Sequence, residues 1–309
     1  NNPTKSVMTI VSDRDRHLIH LGTETTIGDP ATQDKMFIRF SDQEDIEDYQ
    51  PTSVNTAGTF RIDSGSDIRA AVKGKDYLFI GTDTSAYIMQ FVGPPFTFSI
   101  RQVGSNCGTI GQHAMVFVDT NVYWMSDEGG FFVYDGSVKK MPCLVEDFVF
   151  KTTGSNPGLN FNAGQQIYAA HNSLFNEIIW FYPDASSQFA NRMVVYNYQE
   201  GTWTTGTLAR TSYTDKSVFD KPYATKFDEN QTPSFPVVNG ITSSQGRTIY
   251  YEHETGVNEV DFSGNKTAIP AFIESGDFDL DAGGDGEFIM KIRRFIPDFK
   301  FLDGNAKIT

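Results

Sequence analysis

IRAAVKGKDYLFIGTDTSAYIMQFVGPPFTFSIRQV, residues Ile68–Val103, holds four short apolar runs, IRAAVK, YLFIG, SAYIMQF and TFSIRQV, broken by GKD, TDT and VGPP. Runs of five to seven residues rich in β-branched and aromatic side chains, separated by Gly, Pro and Asp, predict strands joined by tight turns. Four in succession read as a four-stranded antiparallel meander. A second unit follows as AMVFVD, VYWMS, FFVYDG and VKKMPCLV, with turn residues at Asp119–Asn121, Asp127–Gly130 and Asp135–Gly136. A third reads QIYAAHN, NEIIWFY, NRMVVYNY and GTWTTGTL. A weaker unit precedes them (HLIHLG, MFIRF, TFRID), and another follows (PYATKF, VVNGI, TIYYEHE, AFIESGDF).

The second strands of the three clearest units begin at Tyr77, Val122 and Ile178, so the repeat is 45 and then 56 residues. This spacing fits propeller blades with variable loops. A lone four-stranded sheet cannot bury both of its faces, and radial stacking of such sheets does so. The expected fold is therefore all-β, a propeller-like array of four-stranded antiparallel blades followed by the start of a further β segment. Residues 1–66 are expected to hold partial first blade material, 67–266 the blades, and 267–309 the C-terminal β segment. The chain is expected to be a portion of something longer, lacking material at both ends.

Composition narrows the function. The 309 residues include 39 acidic and 25 basic side chains, a net charge of −14, which is the wrong sign for gripping phosphate backbones. The mean hydropathy is −0.34. No apolar run approaches the roughly 18 residues of a membrane span, and Asn1–Ile10 shows no secretory leader. The two cysteines, Cys107 and Cys143, match neither C-x-x-C nor a zinc spacing and read as buried thiols. The five histidines form no zinc motif, and His17 and His20, three apart, would face opposite sides of a strand. No metal or cofactor is expected.

Two acidic stretches stand out. DFDLDAGGDGE places Asp277, Asp279 and Asp281 as a calcium loop would, but Ala282 and Phe288 occupy the positions that need glycine and glutamate, so it reads as a solvated turn. DQEDIED supplies Asp42, Glu44, Asp45, Glu47 and Asp48, either a solvated loop or, repeated around a ring, an electronegative rim on a channel. Lys291, Arg293 and Arg294 offer a basic strand for a subunit contact or a charged, aggregation-resistant edge. GSNCG (Gly104–Gly108) lacks the G-x-S-x-G order of a nucleophile elbow and reads as a turn between blades. The three tryptophans, Trp124, Trp180 and Trp203, lie inside apolar strands and read as core. No carboxylate pair is singled out for glycoside hydrolysis.

QDKMFIRFSDQEDIEDYQPTSVNTAGTFRI (Gln33–Ile62) resembles a family of phage tail and virion structural proteins that carry an IRWSDQE…DW.P…NTAG stretch. Similar segments follow in the same order: Gln90–Val116, Val122–Gly136, Met141–Phe150, Asn172–Pro183 and Val194–Thr211. Phe40 and Tyr49 stand where the family has tryptophan. The resemblance implies a non-enzymatic virion subunit, similar to podovirus tail hub, nozzle or packaged-DNA stabilisation proteins. It implies a closed, hexameric ring of copies with portal or adaptor proteins above and tail fibre or tip proteins nearby. Genome DNA would lie in the lumen without sequence recognition, in a virion tail assembled in the host cytoplasm. The alternative is a receptor- or glycan-binding tail propeller, and after it a glycan-degrading tail enzyme.

Overall fold

The computed structural model describes residues 2–12, 14–228, 247–260, 264–269 and 271–272. It divides into two compact units, Asn1–Thr255 and Gly256–Thr309. In the first unit the described strands form five antiparallel sheets, each a meander in chain order. The first sheet holds β1 (Met8–Val11), β2 (Leu18–Leu21), β3 (Phe37–Phe40) and β4 (Gly58–Arg61), and the second β5 (Ile68–Lys73), β6 (Leu78–Thr82), β7 (Ser85–Gly93) and β8 (Thr97–Ser105). The third holds β9 (Met115–Val118), β10 (Asn121–Met125), β11 (Phe131–Tyr134) and β12 (Val138–Lys140). The fourth holds β13 (Tyr168–Asn172), β14 (Glu177–Tyr182), β15 (Arg192–Asn197) and β16 (Thr202–Gly206). Three strands make the fifth: β17 (Ser212–Thr214), β18 (Tyr223–Asp228) and β19 (Arg247–Glu252).

The fold is thus all-β, with propeller-like blades as the repeat implied. The first strands of successive blades are neighbours: β1 lies beside β5, β5 beside β9, β9 beside β13 and β13 beside β17. The sequence reading left β1 unmarked. It also ran the last strand of the third sheet through Val145, whereas β12 stops at Lys140. Met141 is buried in the core, Pro142 has no N–H for a ladder, and a one-turn helix, α1 (Glu146–Phe150), follows. The segment read as VVNGI lies outside the described residues, as does most of AFIESGDF. The described part of the second unit is a hairpin of β20 (Asn258–Val260) and β21 (Lys266–Ala268), paired from Asn258↔Ala268 to Val260↔Lys266.

Side-chain alternation builds the core, because successive residues of a strand face opposite sides. In β6, Leu78 and Ile80 pack toward the first sheet while Phe79 packs toward the third. In β10, Val122 and Trp124 face the second sheet, and Tyr123 and Met125 the fourth. In β14, Ile178, Trp180 and Tyr182 face the third sheet, and Ile179 and Phe181 the fifth. Each inter-sheet layer is therefore made of odd positions from one strand and even positions from its neighbour. Aromatic rings fill the layers: Phe79 and Trp124 have centroids 5.1 Å apart, and Phe131 and Trp180 4.8 Å apart.

Each indole N–H is satisfied by a main-chain carbonyl outside its own sheet's strands. Trp124 donates to Cys107 O (2.8 Å), Trp180 to Ala114 O (3.1 Å) and Trp203 to Pro142 O (2.9 Å). The GSNCG stretch, expected as a turn, ends β8 with Gly104 and Ser105, and Asn106–Gly108 open the connection to the third sheet, passing close to the second. A Cβ on Gly108 would lie 1.9 Å from Asp83 O, so only glycine fits. Cys107 is buried, which pushes its thiol up to about 11, and Cys143 is half-buried with a thiol also raised to about 11 by burial. The tryptophans are thus blade staples, with Trp124 and Trp180 fully buried.

Replacing Trp124 by Ala removes a filled ring and a satisfied N–H together, and is expected to destabilise the chain by about 3–5 kcal/mol. Trp124→Phe keeps most of the packing but leaves Cys107 O without its donor, for about 1–3 kcal/mol. Urea unfolding followed by circular dichroism checks both, and a loss below about 1 kcal/mol for the alanine variant would contradict this account of the blade contact.

Candidate functional site

The acidic stretch forms the connection from β3 to β4 at the end of the first blade. Ser41 N continues the ladder by donating to Leu18 O (2.9 Å), and the chain then folds back so that Asp42 N donates to Asp48 O (2.7 Å). Asp42 Oδ1 accepts from Gln43 N (2.8 Å), Thr56 N (2.7 Å) and Thr56 Oγ1 (2.5 Å), closing the loop at its base. These bonds, the Thr56 hydroxyl foremost, hold the Asp42 carboxyl below the usual carboxylate range despite the opposing effect of burial. Asp48 repeats the pattern one step outward, accepting from Gln50 N (3.0 Å) and Asn55 Nδ2 (2.8 Å).

The remaining acids face outward. Glu44 Oε1 accepts from Arg16 Nε (2.8 Å) and Nη2 (2.7 Å), tying the loop to the β1–β2 turn, and both side chains stay largely exposed. Exposed ion pairs of this kind add little stability. Asp45 accepts only Glu47 N (2.9 Å), and Glu47 has no side-chain partner among the described residues. Of the five acids expected at a rim, Asp42 and Asp48 are therefore scaffolding, whereas Glu44, Asp45 and Glu47 present charge to solvent. Lys291, Arg293, Arg294 and the turn bearing Asp277, Asp279 and Asp281 lie outside the described residues.

Two anchors escaped the sequence reading. Tyr49, 1% exposed, lies on the face of the first sheet turned away from the second. Its hydroxyl meets His20 Nε2 (3.2 Å), and its carbonyl takes a bond from buried Arg39, which also donates to Thr25 O (2.9 Å). His17 is 2% exposed in a box formed by Phe40, Phe91 and Phe98, on the opposite side of the sheet from His20.

The Thr56 hydroxyl is the hub. Its single hydrogen goes to Asp42, so its oxygen accepts from Gln43 N (2.8 Å) and from His17 Nε2 (3.2 Å). That assigns the Nε2–H tautomer and leaves Nδ1 buried without a partner among the described residues. His17 is held neutral by geometry. Burial moves its pKa below 6.5, against the pull of the Asp42 charge.

The loop shares its end of the array with neighbouring turns. Thr97 Oγ1, at the start of β8, donates to Thr56 O (3.1 Å). Lys73 pairs with Asp15 between the first hairpins of the first two blades. Ile46 and Val54 of the loop, Val92 near the end of β7 and Phe96 of the β7–β8 turn are exposed. Among the described residues no three acidic, histidine or cysteine side chains converge to hold a metal ion. The site's chemistry is that of a stiff, hydrogen-bonded platform carrying negative charge. No described helix is long and apolar enough to cross a membrane.

No protein-family model matches the chain, and no curated protein matches it. The resemblance to phage tail proteins thus rests on the quoted residues. Among solved structures, the extracellular domain of a protein described as a one-component system of B. thetaiotaomicron is 12% identical with a TM-score of 0.41, over 70% of this chain and 24% of that one. A mutant apocarotenoid oxygenase of Synechocystis is 10% identical with a TM-score of 0.34, over 68% of this chain and 52% of that one. The chain spans about a quarter of the first and half of the second.

Thr56→Val strips the hub of its hydrogen bonds and is expected to cost about 1–3 kcal/mol, read from urea unfolding. The histidine gives a pH signature. The unfolded chain takes up a proton at His17 at higher pH than the folded one, so this contribution is complete above pH 6.5 and declines as pH falls from 6.5 through the lowered folded value. His253, held at about 4 by burial and then by Arg210, extends the decline further down. His17→Gln, which keeps a donor for Thr56, is expected to flatten the upper part of that decline. An unchanged slope between pH 6.5 and 5.5 would count against the neutral, boxed histidine.

Proposed function

We propose that this chain is a structural, non-enzymatic subunit of a bacteriophage tail hub or nozzle, and that copies of it close into a ring around the DNA path below the portal. The observation that carries the reading is the acidic β3–β4 loop, fixed at one end of the blade array by the Asp42–Thr56–His17 hub. A loop held at its base and middle presents the same charges in every copy. Ring closure repeats Glu44, Asp45 and Glu47 around the rim.

The physical demand on such a conduit is that it guide a polyanion without holding it. A negative rim repels phosphates and offers no counterion release, which is the main source of non-specific DNA affinity. Screening limits the repulsion to roughly 8–10 Å in physiological salt, so it acts when DNA nears the wall. Rigid two-faced blades supply the other requirement, since a ring needs two different complementary flanks whose rotation closes. In this reading the neighbours are portal or adaptor proteins above, fibre or tip proteins beyond, and DNA in the lumen. The protein belongs to the virion tail.

Electron microscopy of the purified protein is expected to show closed rings, with duplex DNA neither retarded nor retained at physiological salt. Glu44→Lys, Asp45→Lys and Glu47→Lys together leave the hub intact and reverse the outward charge. The triple variant is expected to bind duplex DNA with an affinity that falls steeply as salt rises, and to slow genome ejection when built into particles. Monomers or trimers that bind cell-surface glycans would overturn the hub reading, and unchanged ejection by the triple variant would overturn the role of the rim.

A further inference from the structure

A second acidic cluster lies where the fourth and fifth sheets meet, at the β13–β14 turn and just beyond β17 and β19. Asn172, 1% exposed, uses its side-chain amide as a bridge. Nδ2 donates to Glu177 Oε2 (3.3 Å) and to Glu254 Oε1 (3.2 Å), while Oδ1 accepts from Leu174 N (3.2 Å). Asp215 closes one side by accepting from Ser173 N (3.1 Å) and Lys216 N (2.8 Å), with its other oxygen 3.6 Å from His171 Nδ1. Neither Glu177 nor Glu254 is ion-paired among the described residues, and Glu177 Oε1 and Glu254 Oε2 take no hydrogen bond there.

An independent feature points into the same place. Tyr213 is 7% exposed, its ring packed on His253 with centroids 5.5 Å apart, and its hydroxyl is buried with no hydrogen-bond partner among the described residues. Tyr213 stands two residues before Asp215 and so on the same side of the strand, with its ring against the residue that precedes Glu254; burial, and then the Glu254, Asp215 and Glu177 charges, push the phenol upward. Burial, and then the Glu254 charge, also push the Glu177 carboxyl upward. A buried hydroxyl with no partner beside a half-buried carboxylate that is unpaired among the described residues is an unfavourable arrangement, and a donor that reached Tyr213, Glu177 and the exposed Glu254 together would relieve it.

The acceptors define the guest. Metal ions are a poor match, because no three acid, histidine or cysteine groups converge among the described residues. An alkylammonium carries one positive charge and three N–H donors. The site offers three open acceptors: Glu177 Oε1, Glu254 Oε2 and Tyr213 Oη. We propose that Glu177, Glu254 and Tyr213 form a binding site for a protonated primary amine, supplied by a lysine side chain of a neighbouring copy or by a free polyamine. The site stands whether or not the chain forms a tail ring.

The test is calorimetric titration of the whole chain with 1,5-diaminopentane, using 1,5-pentanediol as the uncharged control of equal length and calcium chloride as the metal arm. Saturable binding of the diamine alone is expected. Glu254→Gln, at an exposed position that leaves the fold intact by circular dichroism, should weaken it about tenfold or more. Tyr213→Phe should weaken it by a smaller factor while Glu177→Gln matches Glu254→Gln. Binding of calcium without diamine, binding of the diol as well as the diamine, or no binding at all would overturn the proposal, as would diamine binding untouched by the three variants. Carbodiimide coupling of mixed light and 15N-labelled chains separates the sources. A mixed-isotope cross-link from Glu177 or Glu254 to a lysine identifies a neighbouring copy, and diamine binding without any such cross-link identifies a free amine.

Discussion

Everything in the first unit depends on strands that are apolar on both faces. β6, β10 and β14 each send alternate side chains into two different layers, so none of these three sheets has a solvent face at its centre and none of them can be removed without exposing two neighbours. Stability is then a chain of nearest-neighbour terms, in which each layer depends on the sheets at its two sides. A charge or a cavity at Phe79 or Trp180 weakens one layer directly and its neighbours only through the shared strand. This economy also explains why the aromatic content is high. Flat rings fill a layer between sheets with few rotatable bonds to order.

The first blade solves a different problem. Its face away from the second sheet carries His20 and Arg39, where the corresponding face of β6 carries Leu78 and Ile80 and that of β10 Val122 and Trp124, and it is covered by Tyr49 and the loop that bears it. The acids of that loop are therefore of two kinds: those that hold the cover down and those that decorate it. Mutating the whole run would confuse the two, since loss of Asp42 releases Thr56, Gln43 and His17 together. The outward three can change with the architecture kept.

The blades were legible because continuous apolar runs such as VYWMS and NEIIWFY, placed at a near-regular interval, demand burial on two faces. β1 was not, because MTIV alternates half-buried with exposed positions and its pairing partners supply the burial. The early end of β12 turns on Pro142, and α1 is too short to show a helical period. The acidic loop was visible as charge, but its division into scaffold and surface was not. His17 and Thr56 are 39 residues apart and meet through strand pairing within the first blade, whereas Asn172 and Glu254 are 82 apart and meet through the packing of the fourth and fifth sheets. Chemistry made by tertiary contact between turns leaves no local spacing to read.

The tryptophan staples carry an optical consequence. All three indoles lie in the third and fourth sheets, each bonded to a main-chain carbonyl, and two are sealed from water. Excited at the red edge of protein absorption, the molecule emits from its middle alone. Separation of those central blades exposes the indoles and shifts the emission to longer wavelength, whereas loosening of the first blade and its acidic cover leaves the spectrum where it was. Intrinsic fluorescence thus reads the middle of the array selectively, and tyrosine or backbone signals follow its ends.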